Sequence, residues 1–151
     1  MATTHPFAAT PETLDAFIAA WHAGRLGRAD WTHGAHVAAC AYYAFDHDVE
    51  TTYDIVKAGI LAFNVAVGVA NTATTGYHET LTRFWTVAIV QHVERATAAS
   101  RWGAVRAALD RFGDDRDLPQ RAYSFDVVRD VRARAEWVAP DRDVAGLPAV
   151  A

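Results

Sequence analysis

A single cysteine, Cys40, excludes an internal disulfide and every cysteine-based zinc framework; it fits a reducing cytoplasm. One lysine, Lys57, stands against thirteen arginines, and no run of basic residues occurs. With a formal net charge of −4, the sequence carries no electrostatic footprint for nucleic acid. No apolar stretch approaches the roughly 18 residues needed to span a bilayer, so no membrane partner is expected. Residues 1–9 have neither a basic start nor a long apolar core, which argues against a secretory signal and for a flexible N-terminus. No segment alternates apolar and polar residues convincingly, which removes the usual sign of a half-buried strand.

What remains is an ordinary globular balance, 52% hydrophobic and 21% charged over 151 residues. That is enough for one core, so residues 1–151 are expected to form one cytoplasmic domain. The excess of arginine over lysine, with abundant alanine, points to a GC-rich bacterial source.

Helix signals run through the chain. Thr10-Pro11-Glu12 supplies a cap, a first-turn proline and an acid, and Leu14, Phe17, Ile18 and Trp21 follow at helical spacing up to Gly24. Asp30 or Thr32 can cap a second helix with an inner stripe of His33, His36/Val37, Cys40 and Tyr43/Ala44. A third is expected over Val49–Val67. The small and hydroxyl residues of 68–76 read as a loop leading into a fourth helix near Tyr77–Ala98. Trp102, Val105, Leu109 and Phe112 mark a fifth, ended by Gly113. Ser124 can cap a last one carrying Val127, Val128, Val131, Ala135 and Val138, with residues 141–151 as an extended tail. The expectation is an all-α domain of five or six helices with short connections.

Most of the chemistry lies in two segments, Trp31-Thr32-His33-Gly34-Ala35-His36 and Tyr77-His78-Glu79-Thr80-Leu81-Thr82. His33 and His36, three apart, share a helix face. Imidazoles aimed at a core must be hydrogen-bonded or liganded, because an unpaired buried polar group costs about 2–7 kcal/mol. With His78 they form a candidate site for catalysis or for one divalent metal ion, Zn, Fe or Cu. Glu79 points about 100° away from His78 on a helix. It is a candidate proton carrier or orienting partner; the bland reading gives it the helix dipole and an ion pair with Arg83. Tyr77, Thr82, Trp31 and Trp85 are candidate substrate-binding residues. His92 lies about 21 Å along the axis from His78 and cannot share its site. Cys40 reads as a small buried hydrophobe.

These segments resemble a family of small uncharacterised bacterial proteins with an aromatic–Thr–His–x–x–His helix start, a Tyr–His–x–Thr–x–Thr segment, a serine near a final helix and a Pro-Asp tail. The matching residues here are Trp31–His36, Tyr77–Thr82, Tyr123-Ser124 and Pro140-Asp141. The resemblance implies an all-helical domain in which His33, His36 and His78 belong together, and it implies no particular reaction. Four readings stay open: an enzyme acting on a small molecule with a metal at the three histidines; a metal-free histidine acid–base enzyme such as a cyclase, isomerase or dehydratase; a non-catalytic small-ligand or metal-binding accessory protein; and a hydrogen-bonded histidine cluster that only holds helices together. The alanine-rich helix surfaces are compatible with a homodimer.

Overall fold

A computed structural model describes residues 3–147, and among them it contains helices and no strands. Five long helices make the body: α1 (Pro11–His22), α2 (His33–Ala44), α3 (Val49–Ala66), α4 (Glu79–Ala96) and α5 (Arg101–Phe112). Two short ones, α6 (Leu118–Ala122) and α7 (Val131–Ala135), follow, and 3-10 turns occupy Pro6–Ala8 and Arg28–Asp30. None of the helices among the described residues is long and apolar enough to cross a membrane.

The helix starts are fixed by local chemistry. Thr10 and Thr13 form a reciprocal capping box, and the side chains of Thr32, Asp48 and Ser100 accept main-chain N–H groups at the starts of α2, α3 and α5. Each such cap is worth about 1 kcal/mol.

The architecture turns on α2. The sequence suggests one inward stripe, but Gly34, Ala35, Val37, Ala38, Ala39, Cys40, Ala41 and Ala44 are all buried, on every side of the helix. A helix apolar all round is a central helix. Its small side chains let α3, α4 and α5 approach closely, and the buried alanines 104 and 108 of α5 meet it in kind.

Both chain ends depart from expectation. From Thr3 onward the N-terminal segment is held: the Thr3 N–H donates to Asp114 at 3.1 Å, Ala8 is buried, and the Trp102 indole donates to the Ala8 carbonyl at 2.9 Å. The His5 ring lies against Gly34, where a Cβ would come within 2.3 Å of it. Residues 141–147 fold back in turns, with the N–H groups of Asp141 and Arg142 both donating to the Ala122 carbonyl. The rest of the expected tail, including Pro148, lies outside the described residues.

The long last helix does not form. Residues 123–130 are irregular, α7 has only five residues, its cap is Asp130, and Val131 and Ala135 face solvent. Three β-branched valines and two aspartates make 126–131 a poor helix former. Tertiary hydrogen bonds, described below, take its main-chain groups instead.

Gly59 sets the fit of α1 on α3. A Cβ there would fall 2.3 Å from the Trp21 ring, which is 1% exposed and stacked on Trp31 at 4.9 Å. Helix propensity alone favours Gly59→Ala by about 1 kcal/mol. The clash should reverse the sign: thermal denaturation of Gly59→Ala is expected to show a net loss of about 1–3 kcal/mol.

Candidate functional site

One cavity of about 700 Å³ opens between α2, α3, α4 and the segment after α5, a size suited to a small organic molecule. All the site residues expected from the sequence line it except Glu79: Trp31, His33 and His36 from one side, Tyr77 and His78 from the loop before α4, and Thr82 and Trp85 from α4 itself. Val37, Val56, Ile60, Leu81, Ile89 and Val128 give it an apolar body. Residues that sequence reasoning missed complete the mouth: Arg116, Asp117, Gln120 and Arg134.

His78 is buried and is not a free imidazole. It is the N-cap of α4: its Nδ1 accepts the Leu81 N–H at 3.1 Å, while its Nε2–H donates to the Val127 carbonyl at 2.8 Å. A carbonyl can only accept, so the Nε2–H tautomer is forced and both ring nitrogens are committed. The helix therefore begins two residues after the expected start, and His78 serves it in the role usually held by Ser, Thr, Asp or Asn.

The rest of the second segment works the same way. Thr80, fully buried, donates its hydroxyl to the Glu136 carbonyl at 2.9 Å and accepts the Val138 N–H at 3.0 Å. Tyr123 donates to the Val138 carbonyl at 2.7 Å, and Ser124, expected as a helix cap, instead binds Asp141 through its N–H at 2.7 Å and through its hydroxyl. Arg134 donates to the carbonyls of Gly76 at 2.8 Å and Tyr77 at 3.3 Å. Gly76–Thr80 is thus a latch that holds residues 127–138, and the Tyr123 and Ser124 bonds close that segment on itself. Asn71 steadies its approach, accepting from Tyr77 N–H at 3.0 Å and from the Asn64 amide at 2.9 Å.

His33 and His36 differ. The Nε2–H of His33 donates to the Phe112 carbonyl at 2.9 Å, which pins α2 to the end of α5 and leaves Nδ1 free; the ring lies 4.9 Å from Trp85. His36 has no hydrogen-bond partner on either nitrogen among the described residues. It sits against the Trp31 ring with centroids 4.1 Å apart. Only half-buried by surface because it faces the cavity, it is nevertheless surrounded by protein. Burial, with lesser contributions from His33 and Arg116, holds its pKa down at about 3. Burial likewise lowers His33 and His78 from the usual imidazole value. The three rings are neutral at physiological pH.

Glu79 lies outside this cavity. Its carboxylate pairs with Lys57 at 2.8 Å and accepts from the Tyr53 and Tyr77 hydroxyls. Arg83, the partner expected from spacing, goes to Glu50. The sequence spacing allowed an i,i+4 pair, but α3 brings Lys57 and Glu50 alongside α4 and the contacts across helices prevail. Tyr77 is the link between the two places: it lines the cavity, and its hydroxyl meets both Glu79 and the Thr82 side chain. Burial pushes it up to about 12, so it is a hydrogen-bond donor rather than an acid. Cys40 also lines the cavity, and burial pushes its thiol up to about 12 as well, which leaves it unreactive. His92 binds the Ala107 carbonyl at 3.2 Å, joining α4 to α5.

The donor set does not fit the metal expectation. Among the described residues no three His, Cys, Asp or Glu side chains gather closely enough to hold a metal ion. Both His78 nitrogens are in addition occupied, which leaves only His33 Nδ1 and the His36 ring without a protein partner.

Comparison with family models, with characterised proteins and with solved structures finds nothing that matches this chain.

The neutral histidines make stability depend on pH. In the unfolded chain they titrate near the ordinary imidazole value of about 6.5, in the folded one lower. Between those values the unfolded state binds more protons, so stability is complete above about pH 6.5 and falls as pH falls toward 3. Denaturant titrations between pH 6 and 4 should show His36→Gln with a slope shallower than wild type by about one proton, or roughly 1.4 kcal/mol per pH unit. His78→Ala, losing a cap and a buried tie, should be less stable than wild type by about 2 kcal/mol at pH 7.

Proposed function

We propose that this chain is a small-molecule enzyme that works by metal-free histidine acid–base chemistry, with His36 as the proton carrier. One observation carries the reading: of the three imidazoles lining the cavity, His36 alone has neither nitrogen engaged by the protein. Its ring opens to the cavity rather than to a protein partner, and a ligand or substrate there is what would engage it.

In this reading α2 is the platform. Buried on all sides, it holds the His36 ring against Trp31 at a fixed place on the cavity wall. A neutral imidazole can take a proton from a substrate carbon or oxygen at one nitrogen and return one from the same position later. His33 positions the start of α2 through its bond to Phe112, and its free Nδ1 can accept a hydrogen bond from the substrate. Because an empty cavity depresses His36 so far, a bound negative charge beside it is what brings the ring toward the range where a base is effective at pH 7.

The test is incubation of the purified protein with a bacterial small-molecule extract, followed by mass spectrometry of what is retained and what is consumed. The expected result is that wild type retains and converts at least one compound, while His36→Gln retains it and converts it at least 100-fold more slowly, the usual scale of a lost acid–base group of about 10²–10⁴. Equal conversion by His36→Gln overturns the role of His36. Retention without conversion by wild type makes the chain a binding protein instead.

A further inference from the structure

We infer that the cavity takes a small amphipathic organic anion, with its carboxylate or phosphate held at the mouth by Arg116 and its apolar body in the depth. This rests on the cavity being a small-molecule site and names the class of molecule.

The balance of charge around the cavity is the first argument. Two arginines line it, Arg116 and Arg134, against one carboxylate, the exposed Asp117. The neighbouring acids are already engaged. Asp115 is held by Arg121 through two parallel bonds of 2.9 and 2.7 Å, Asp130 caps α7 at 2.7 Å, and Glu79 is paired with Lys57. Arg134 gives its donors to the main-chain carbonyls of Gly76, Tyr77 and Val128, so its position is fixed while no carboxylate lies within ion-pair distance of it. The lining itself therefore carries two arginines against one carboxylate in a chain of net charge −4, with Asp115 and Asp130 close behind it.

Arg116 is the second argument. Among the described residues it makes no hydrogen bond and no ion pair, yet it lines the cavity close enough to act on both His33 and His36. A guanidinium offers five donors in a planar fork that matches a carboxylate or a phosphate. The third argument is the depth: aliphatic side chains from α2, α3 and α4 between the Trp31 and Trp85 rings suit an apolar body. An anion at the mouth also lies where it would raise the pKa of the His36 ring.

Calorimetric titrations at pH 7 and low salt with octanoate, octyl phosphate, octan-1-ol and octylammonium test this, since one flexible chain carries each headgroup. The expected result is that at least one of the two anions binds tenfold or more tightly than the alcohol, the ammonium binds weakest, and Arg116→Gln removes that preference. The two anionic probes separate carboxylate from phosphate. Arg116 is exposed, so the variant should keep the wild-type melting temperature, and the comparison stands on binding alone. If the alcohol binds as tightly as both anions, or Arg116→Gln keeps the preference, the anion inference is overturned and the small-molecule site stands. If none of the four binds, the cavity does not receive small apolar molecules and the reading beneath falls too.

Discussion

A buried imidazole with both nitrogens committed is the constraint on which the cavity depends. His78 starts α4 by accepting the Leu81 N–H and holds the Val127 carbonyl 49 residues away. The bond from Leu81 does not survive protonation, because Nδ1 would become a donor facing another donor. Around it, Thr80, Tyr123, Ser124 and Arg134 add bonds of the same long-range kind, so one short segment of the loop and first turn carries the opposite wall. His33 does for α2 and α5 what His78 does for α4 and the C-terminal segment: an N–H of the ring donates to a main-chain carbonyl far along the chain.

Histidine thus meets two fates within one cavity. Two rings are spent on main-chain carbonyls and become structure. The third, one turn beyond His33 on a helix buried all round, keeps both nitrogens for something other than the protein. Local rules are expected to be broken at functional sites, where stability is given up for reactivity or binding. Here the departure is an imidazole that faces the cavity with no protein partner, held in place by the alanine-packed α2. The excess of arginine over carboxylate in the cavity lining is a second departure in the same place.

The five long helices are legible in the sequence because their signals are local: a cap, a first-turn proline or acid, and apolar residues at helical spacing. Cavity membership is legible too for the residues of the two histidine-bearing segments, since both lie at helix starts. The roles within the cavity are not. Whether a histidine is a strut or a free ring depends on partners such as Phe112 and Val127, 79 and 49 residues distant, and spacing carries no information about them. Ser124 looks like a cap and is a tether to Asp141; Glu79 has Arg83 at the right interval and pairs with Lys57 across a helix interface. Arg116 and Arg134 have no signature at all, because in a chain with thirteen arginines only the absence of a facing carboxylate distinguishes them.

The division of labour among the histidines is directly observable by nitrogen NMR of the imidazole rings across pH. The account predicts that His33 and His78 hold the Nε2–H tautomer and that His36 remains neutral far below pH 6, protonating near 3 unless the fold is lost first. A His36 ring that titrates near 6.5 in the folded protein, or a His78 ring in the Nδ1–H tautomer, contradicts it.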